Sequence, residues 1–104
     1  MKTSELSGAA LDWAVAKCEG YTLNPAVRHS AWIAYSSDWA QGGPIIGQES
    51  IQLTPDEYTG TWAAFTTREG EPYEYTGPTA LIAAMRCFVA SRLGDDVDVP
   101  KEVA

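Results

Sequence analysis

At both ends of the chain apolar residues recur every three or four positions, and between those ends they tend to alternate. The first pattern is that of a helix with one buried face, the second that of a strand. Residues 4–19 read as a helix. Leu6, Ala10, Trp13 and Lys17 follow one stripe, and Leu11, Ala14, Val15 and Cys18 follow the next, a broad apolar face suited to lying on a sheet. Ser4 or Ser7 can cap its start, Glu5 suits the positive end of its dipole, and Gly20 is a natural stop. The second helix is the clearer one. Pro78 takes its first position, Leu81, Ile82, Met85, Phe88, Val89 and Leu93 form its stripe, and Gly94 ends it. Asp95, Asp96 and Asp98 then fall at the negative end of the dipole, so 95–104 reads as a loosely ordered acidic tail.

Between the helices, Asn24-Pro25 signals a turn and Ala31–Tyr35 has the aromatic and β-branched content of a strand. Tyr35 to Ile46 contains the densest irregular chemistry of the chain. Gly42 and Gly43 release the backbone and Pro44 stiffens it, so Asp38–Pro44 reads as a demanding turn or a binding loop. Pro44–Leu53 reads as one broken strand or two short ones, and Thr54–Glu57 as a turn. Thr61–Thr67 is the clearest strand. Arg68–Glu71 is a hairpin turn, and Pro72–Tyr75 returns as a short strand that suits a sheet edge. The expected fold is α+β: a small antiparallel sheet of about four strands with an N-terminal and a C-terminal helix packed on one face. All 104 residues form one domain.

Charge narrows the partners. Fourteen acidic residues against 7 basic ones give a formal net charge of -7. That argues against direct, counterion-driven binding of DNA or RNA and favours steering to a basic protein. No apolar run approaches the ~18 residues of a membrane helix, and no leader segment is apparent. The expected location is the cytoplasm. Cys18 and Cys87 are the only cysteines and His29 the only histidine. Nothing has the spacing of a zinc site, and no cofactor is expected. Two small buried thiols explain the cysteines better than a disulfide in a reducing compartment does.

Three blocks of residues resemble the phage NinX-like family. The first is Met1–Leu6 with Ala10–Ala16, the second Ser37–Ile46, and the third Gly77–Thr79 with Leu81–Arg86 and Val89–Ser91. They span nearly the whole chain in the family's order. The resemblance implies a protein of tailed phages and prophages, with no established activity. The family name comes from a phage gene neighbourhood that includes recombination proteins. This chain departs from many relatives before the Asp-Trp block, where they carry a longer insert and 26–37 is short here. If that region shapes a ligand site, this member's specificity differs.

The candidate ligand-binding residues are Asp38, Trp39, Gln41, Gly42, Gly43 and Arg86. Trp39 can stack on a base or ring, with Asp38 and Gln41 supplying polar contacts and the glycine amides meeting an anion. The alternative is a turn in which Trp39 plugs the core and Asp38 bonds its own backbone. Gly42-Gly43-Pro44 lacks the spacing of a phosphate loop. Arg86 offers a carboxylate or phosphate anchor, against the alternative of an exposed helix face or a pair with Asp12 or Glu5. Arg28 and His29 can line a polar pocket or a plain surface loop. The turn and strand carboxylates read as a solvated face, and no triad is visible.

The expectation is a non-enzymatic phage protein that captures a small ligand, with nucleotides as the candidate class, or blocks a host factor in a counter-defence role. The alternative is an accessory of phage DNA replication or recombination that acts through a protein partner. A small hydrolase is the third option, with no catalytic or metal constellation to support it. The aromatic content exceeds what one small core needs, so a homo-oligomer is expected.

Overall fold

The computed structural model describes residues 1–21 and 33–103. Asn24-Pro25, Arg28, His29 and the first two residues of the expected strand Ala31–Tyr35 lie outside the described residues. A 3₁₀ turn at Thr3–Glu5 opens the chain, followed by helix α1 (Gly8–Cys18). Helix α2 spans Trp39–Gln48. Strands β1 (Gln52–Asp56), β2 (Thr61–Arg68) and β3 (Glu71–Gly77) form an antiparallel sheet in the order β1-β2-β3. Helix α3 (Ala80–Leu93) follows. The fold is α+β as expected, with three strands among the described residues rather than about four.

The missing strand has a local reason. Ile33 and Ala34 join no strand, and Tyr35–Ser37 form a turn that leads into α2. The region read as a loop and the start of a strand is therefore helix. The strand itself begins later and runs through Thr54-Pro55-Asp56, which was expected to turn. Pro55 is tolerated because β1 is an edge. The turn comes next: the Asp56 carboxylate accepts from the amides of Tyr58 and Thr59 at 3.0 and 3.4 Å, and Gly60 follows at positive φ. At the other hairpin, Glu69 and Gly70 lie at φ 53 and 83°, the two left-handed residues of a type I′ turn.

The sheet uses one face for the core. Leu53, Ala64 and Tyr75 stand in register across the strands and pack into a single hydrophobic cluster with Trp62 and Tyr73. Over them lies α3. Its apolar face is wider than the stripe expected from sequence, because α1 and α2 pack against α3. Ala83, Ala84, Met85, Cys87 and Val89 are fully buried. Thr79 caps α3, its hydroxyl accepting from the Ile82 amide at 3.1 Å, so Pro78 precedes the cap instead of opening the helix. Gly94 ends it at φ 87°.

The expected helix 4–19 is broken at Leu6-Ser7, which are extended. The break lets the N-terminus clasp the segment after α3. Thr3 is fully buried, with its hydroxyl donating to the Gly94 carbonyl at 2.7 Å and its amide to that of Asp95 at 3.0 Å. Val97 donates its amide to Met1 at 2.8 Å and is itself 3% exposed. The acidic segment, expected to be loose from Asp95 onward, is thus tied down over Asp95–Val97.

Helix α2 contains three glycines and Pro44, residues that cost roughly 1 kcal/mol each for glycine and ~3 kcal/mol for proline in a helix interior. Contacts must hold it. A Cβ on Gly42 would collide with the Tyr35 carbonyl oxygen and lie 2.7 Å from Leu81 Cδ2, whereas one on Gly47 would meet nothing within 4 Å. Gly42→Ala is therefore expected to destabilise the fold by about 1–3 kcal/mol despite alanine's better helix propensity. Gly47→Ala is expected to stabilise it by up to ~1 kcal/mol. Urea unfolding of the two variants side by side checks the pair.

Candidate functional site

The residues around Trp39 are held by three side chains from three places. The Asp38 carboxylate caps α2, accepting from the Ala40 amide at 2.9 Å. Gln41 turns back and its Oε1 accepts from the Ala34 amide at 2.8 Å. Asp12 of α1 reaches across and accepts from the Ser36 amide at 2.9 Å. The Gly42 amide donates to the Asp38 carbonyl at 2.9 Å. Asp38-Trp39-Ala40-Gln41 is in fact a helix-start pattern, an N-cap with an amide side chain three residues on. It was legible in the sequence, but the glycines and proline that follow pointed to a loop. The side chain of Gln41 serves Ala34 instead of the Asp38 amide, so the reciprocal half of the motif is absent.

These contacts redistribute the candidate residues. Asp38, Gln41 and Gly42 are engaged in building the helix start. Gly42 and Gly43 both lie within α2, and neither has a positive φ. The backbone release read from the sequence is not used, and Gly42 instead permits close packing. Trp39 is the exception. It is 55% exposed, so it does not plug the core. It begins a ten-residue helix without a single charged side chain.

Arg86 lies apart from this group, on α3. Its Nε donates to the Leu6 carbonyl at 2.8 Å and its Nη1 to that of Thr76 at 2.9 Å. Neither Asp12 nor Glu5 is its partner. Half-burial pushes the guanidinium below its ordinary value by desolvation. Arg86 joins the break before α1, the end of β3 and the middle of α3, which is a framework role.

Three features of the framework leave no local mark in the sequence. Arg92 pairs with Glu49 at 3.0 Å, the Thr66 hydroxyl donates to the Glu49 carbonyl at 2.9 Å, and Asp12 holds Ser36. Each joins residues distant in sequence, with no periodic pattern to reveal it. Cys87 is buried and donates to the Tyr73 carbonyl at 3.3 Å, and desolvation raises its thiol to about 11. Cys18, half-buried, is likewise raised by desolvation to about 11, and both cysteines are free thiols. Among the described residues no three His, Cys, Asp or Glu side chains gather as a metal site. No described helix is long and apolar enough to cross a membrane.

Fold and surface define a small α+β protein: a three-stranded antiparallel meander backed by a buried central helix, with an uncharged helix presenting one tryptophan. The chain belongs to the family described as Bacteriophage P22, NinX, whose family model matches residues 2–92. That span takes in every helix and strand up to the last turn of α3. No curated protein matches the chain.

Asp12 supplies a pH test of the helix-start scaffold. Burial raises its carboxyl above the ordinary value, and bonds from the Ser36 hydroxyl and amide partly offset this. A raised carboxyl means the folded state binds the proton more tightly than the unfolded chain does. The group's contribution to stability is therefore greatest below the ordinary value of ~3.9 and falls as pH rises through the folded value. Asp12→Asn keeps an acceptor for Ser36 without the buried charge. It is expected to match or exceed the parent at pH near 7 and to lose that advantage toward pH ~3. Asp12→Ala removes the acceptor and is expected to cost about 1–2 kcal/mol at either pH. Urea titrations at both pH values check this.

Proposed function

We propose that this NinX-family member is a non-enzymatic phage protein that works in the host cytoplasm by binding another protein through the Trp39 face of α2. The role is of the counter-defence type, the blocking of a host factor. The observation that carries the reading is Trp39 itself: a large aromatic, more than half exposed, at the head of an uncharged helix in a chain of net charge -7. Aromatic anchors of this kind dominate protein interfaces. The capture of a nucleotide-like ligand has less support. The polar groups that would recognise it, on Asp38, Gln41 and Gly42, already serve the helix start.

A second reading keeps the same surface and changes the partner. An accessory of phage replication or recombination acting through a protein is consistent with the acidic charge, which opposes direct contact with DNA. Self-association through exposed aromatics belongs to the proposal as well, and light scattering at micromolar concentration reads it directly.

The test compares the parent with Trp39→Ala. Because Trp39 is mostly exposed, the variant is expected to lose less than ~1 kcal/mol of stability. A host protein retained from extract by the parent, then purified, is expected to bind the variant about tenfold or more weakly. Equal affinity for both would sink the Trp39 assignment. A parallel thermal-shift screen against linear and cyclic nucleotides covers the small-ligand form. A compound that raises the melting temperature of the parent alone would replace the protein partner with that compound.

A further inference from the structure

The sheet has two faces, and the described helices cover only one. Strand alternation turns Leu53, Trp62, Ala64, Tyr73 and Tyr75 toward α3. The other face carries Thr54, Ala63, Phe65, Thr67, Glu74 and Thr76. Phe65 stands at its centre on the middle strand, in register with Gln52 on one side and Glu74 on the other. It is partly exposed and does not belong to the core cluster. Helix α3 lies on the opposite face, and α1 and α2 pack on α3.

The charges of this face have one sign. Its charged members are Asp56 and Glu74, both exposed carboxylates, and Glu57 and Glu69 stand exposed in the turns that end its strands. Arg68 is the one basic residue in 52–76, and alternation puts it on the α3 side. Beyond Gln52, Ala63 and Pro72, the neighbours of Phe65 on this face include Thr54, Thr67 and Thr76, whose methyl and hydroxyl groups suit a face that is dry at its centre and wet at its rim.

We infer that this open face docks a cationic protein segment, rich in arginine or lysine, with an apolar side chain that covers Phe65. The charge selects the occupant. A second copy stacked face to face would bring Asp56 and Glu74 against their equals, and nucleic acid would be repelled by the same carboxylates. A basic segment neutralises them. The dimensions set the strength. Three strands at ~4.8 Å spacing and about seven residues each make a platform of roughly 10 by 25 Å, well under the ~800 Å² per partner of a stable complex. The docking is therefore weak and sensitive to salt.

The experiment titrates the isotope-labelled protein with a short synthetic peptide of arginine and leucine and follows the amide resonances. Changes are expected to centre on Thr54, Ala63, Phe65, Thr67 and Thr76. Affinity is expected to fall about tenfold between about 0.05 and about 0.3 M salt. Glu74→Lys, on an edge strand, and Phe65→Thr are each expected to weaken binding about fivefold, with the melting temperature confirming that the variants remain folded. If Phe65→Thr unfolds, Thr76→Lys takes its place. Changes centred on Asp95–Asp98, or affinity unaltered by these substitutions, would overturn the inference. So would no binding at low salt, or resonance changes with protein concentration alone, which would make the occupant a second copy.

Discussion

Helix α3 must be buried on more than one side, and the rest of the molecule is arranged around that constraint. One side takes the sheet and another takes α1 and α2. Small residues make this feasible. Ala80, Ala83, Ala84 and Ala90 bring neighbouring backbones close, and β3 ends on Gly77, where a Cβ would lie 2.7 Å from the Ala83 amide nitrogen. Three side chains of α3 then reach outward to separate elements. Arg86 holds the break before α1 and the end of β3, Cys87 bonds the middle of β3, and Arg92 pairs with Glu49 just after α2. Burying a guanidinium or a thiol is costly unless its donors find acceptors, and each of these does.

Helix α2 shows how far tertiary contacts can outweigh local preference. Its glycines and proline favour a loop when weighed alone. Asp38, Gln41 and Asp12 fasten the turn before it, and Gly42 and Ile45 seat it against the rest of the protein. Asp38 and Gln41 are used for structure, and Trp39 is left exposed on a helix start that its neighbours hold in place. Such preorganisation lowers the entropy lost when a partner binds.

The two outward surfaces differ in character. Trp39 heads a helix without charged side chains, whereas the open sheet face carries threonines and the carboxylates of Asp56 and Glu74 around Phe65. Membership of the NinX family places such a protein among phage genes without supplying a chemical activity.

Much of the architecture was legible from residue order. The period of α3, its Gly94 stop, the β2–β3 hairpin at Glu69-Gly70 and the α+β class all rest on local patterns, because the helix and strand periods and the turn residues act within a few positions. The Asp38 cap follows local order, but the fate of Gln41 and Arg86 was not legible. Both carry the same chemistry whether they face a ligand or a backbone amide or carbonyl. Only the fold brings Ala34, Leu6 and Thr76 within 3 Å of them or leaves them open. The clasp of Thr3 on Gly94 and the tie of Asp12 to Ser36 are likewise invisible in sequence, since each joins residues far apart in the chain. Local periodicity determined α3 and the β2–β3 hairpin, whereas long-range packing decided that Trp39–Gln48 is helix and which side chains the elements consume.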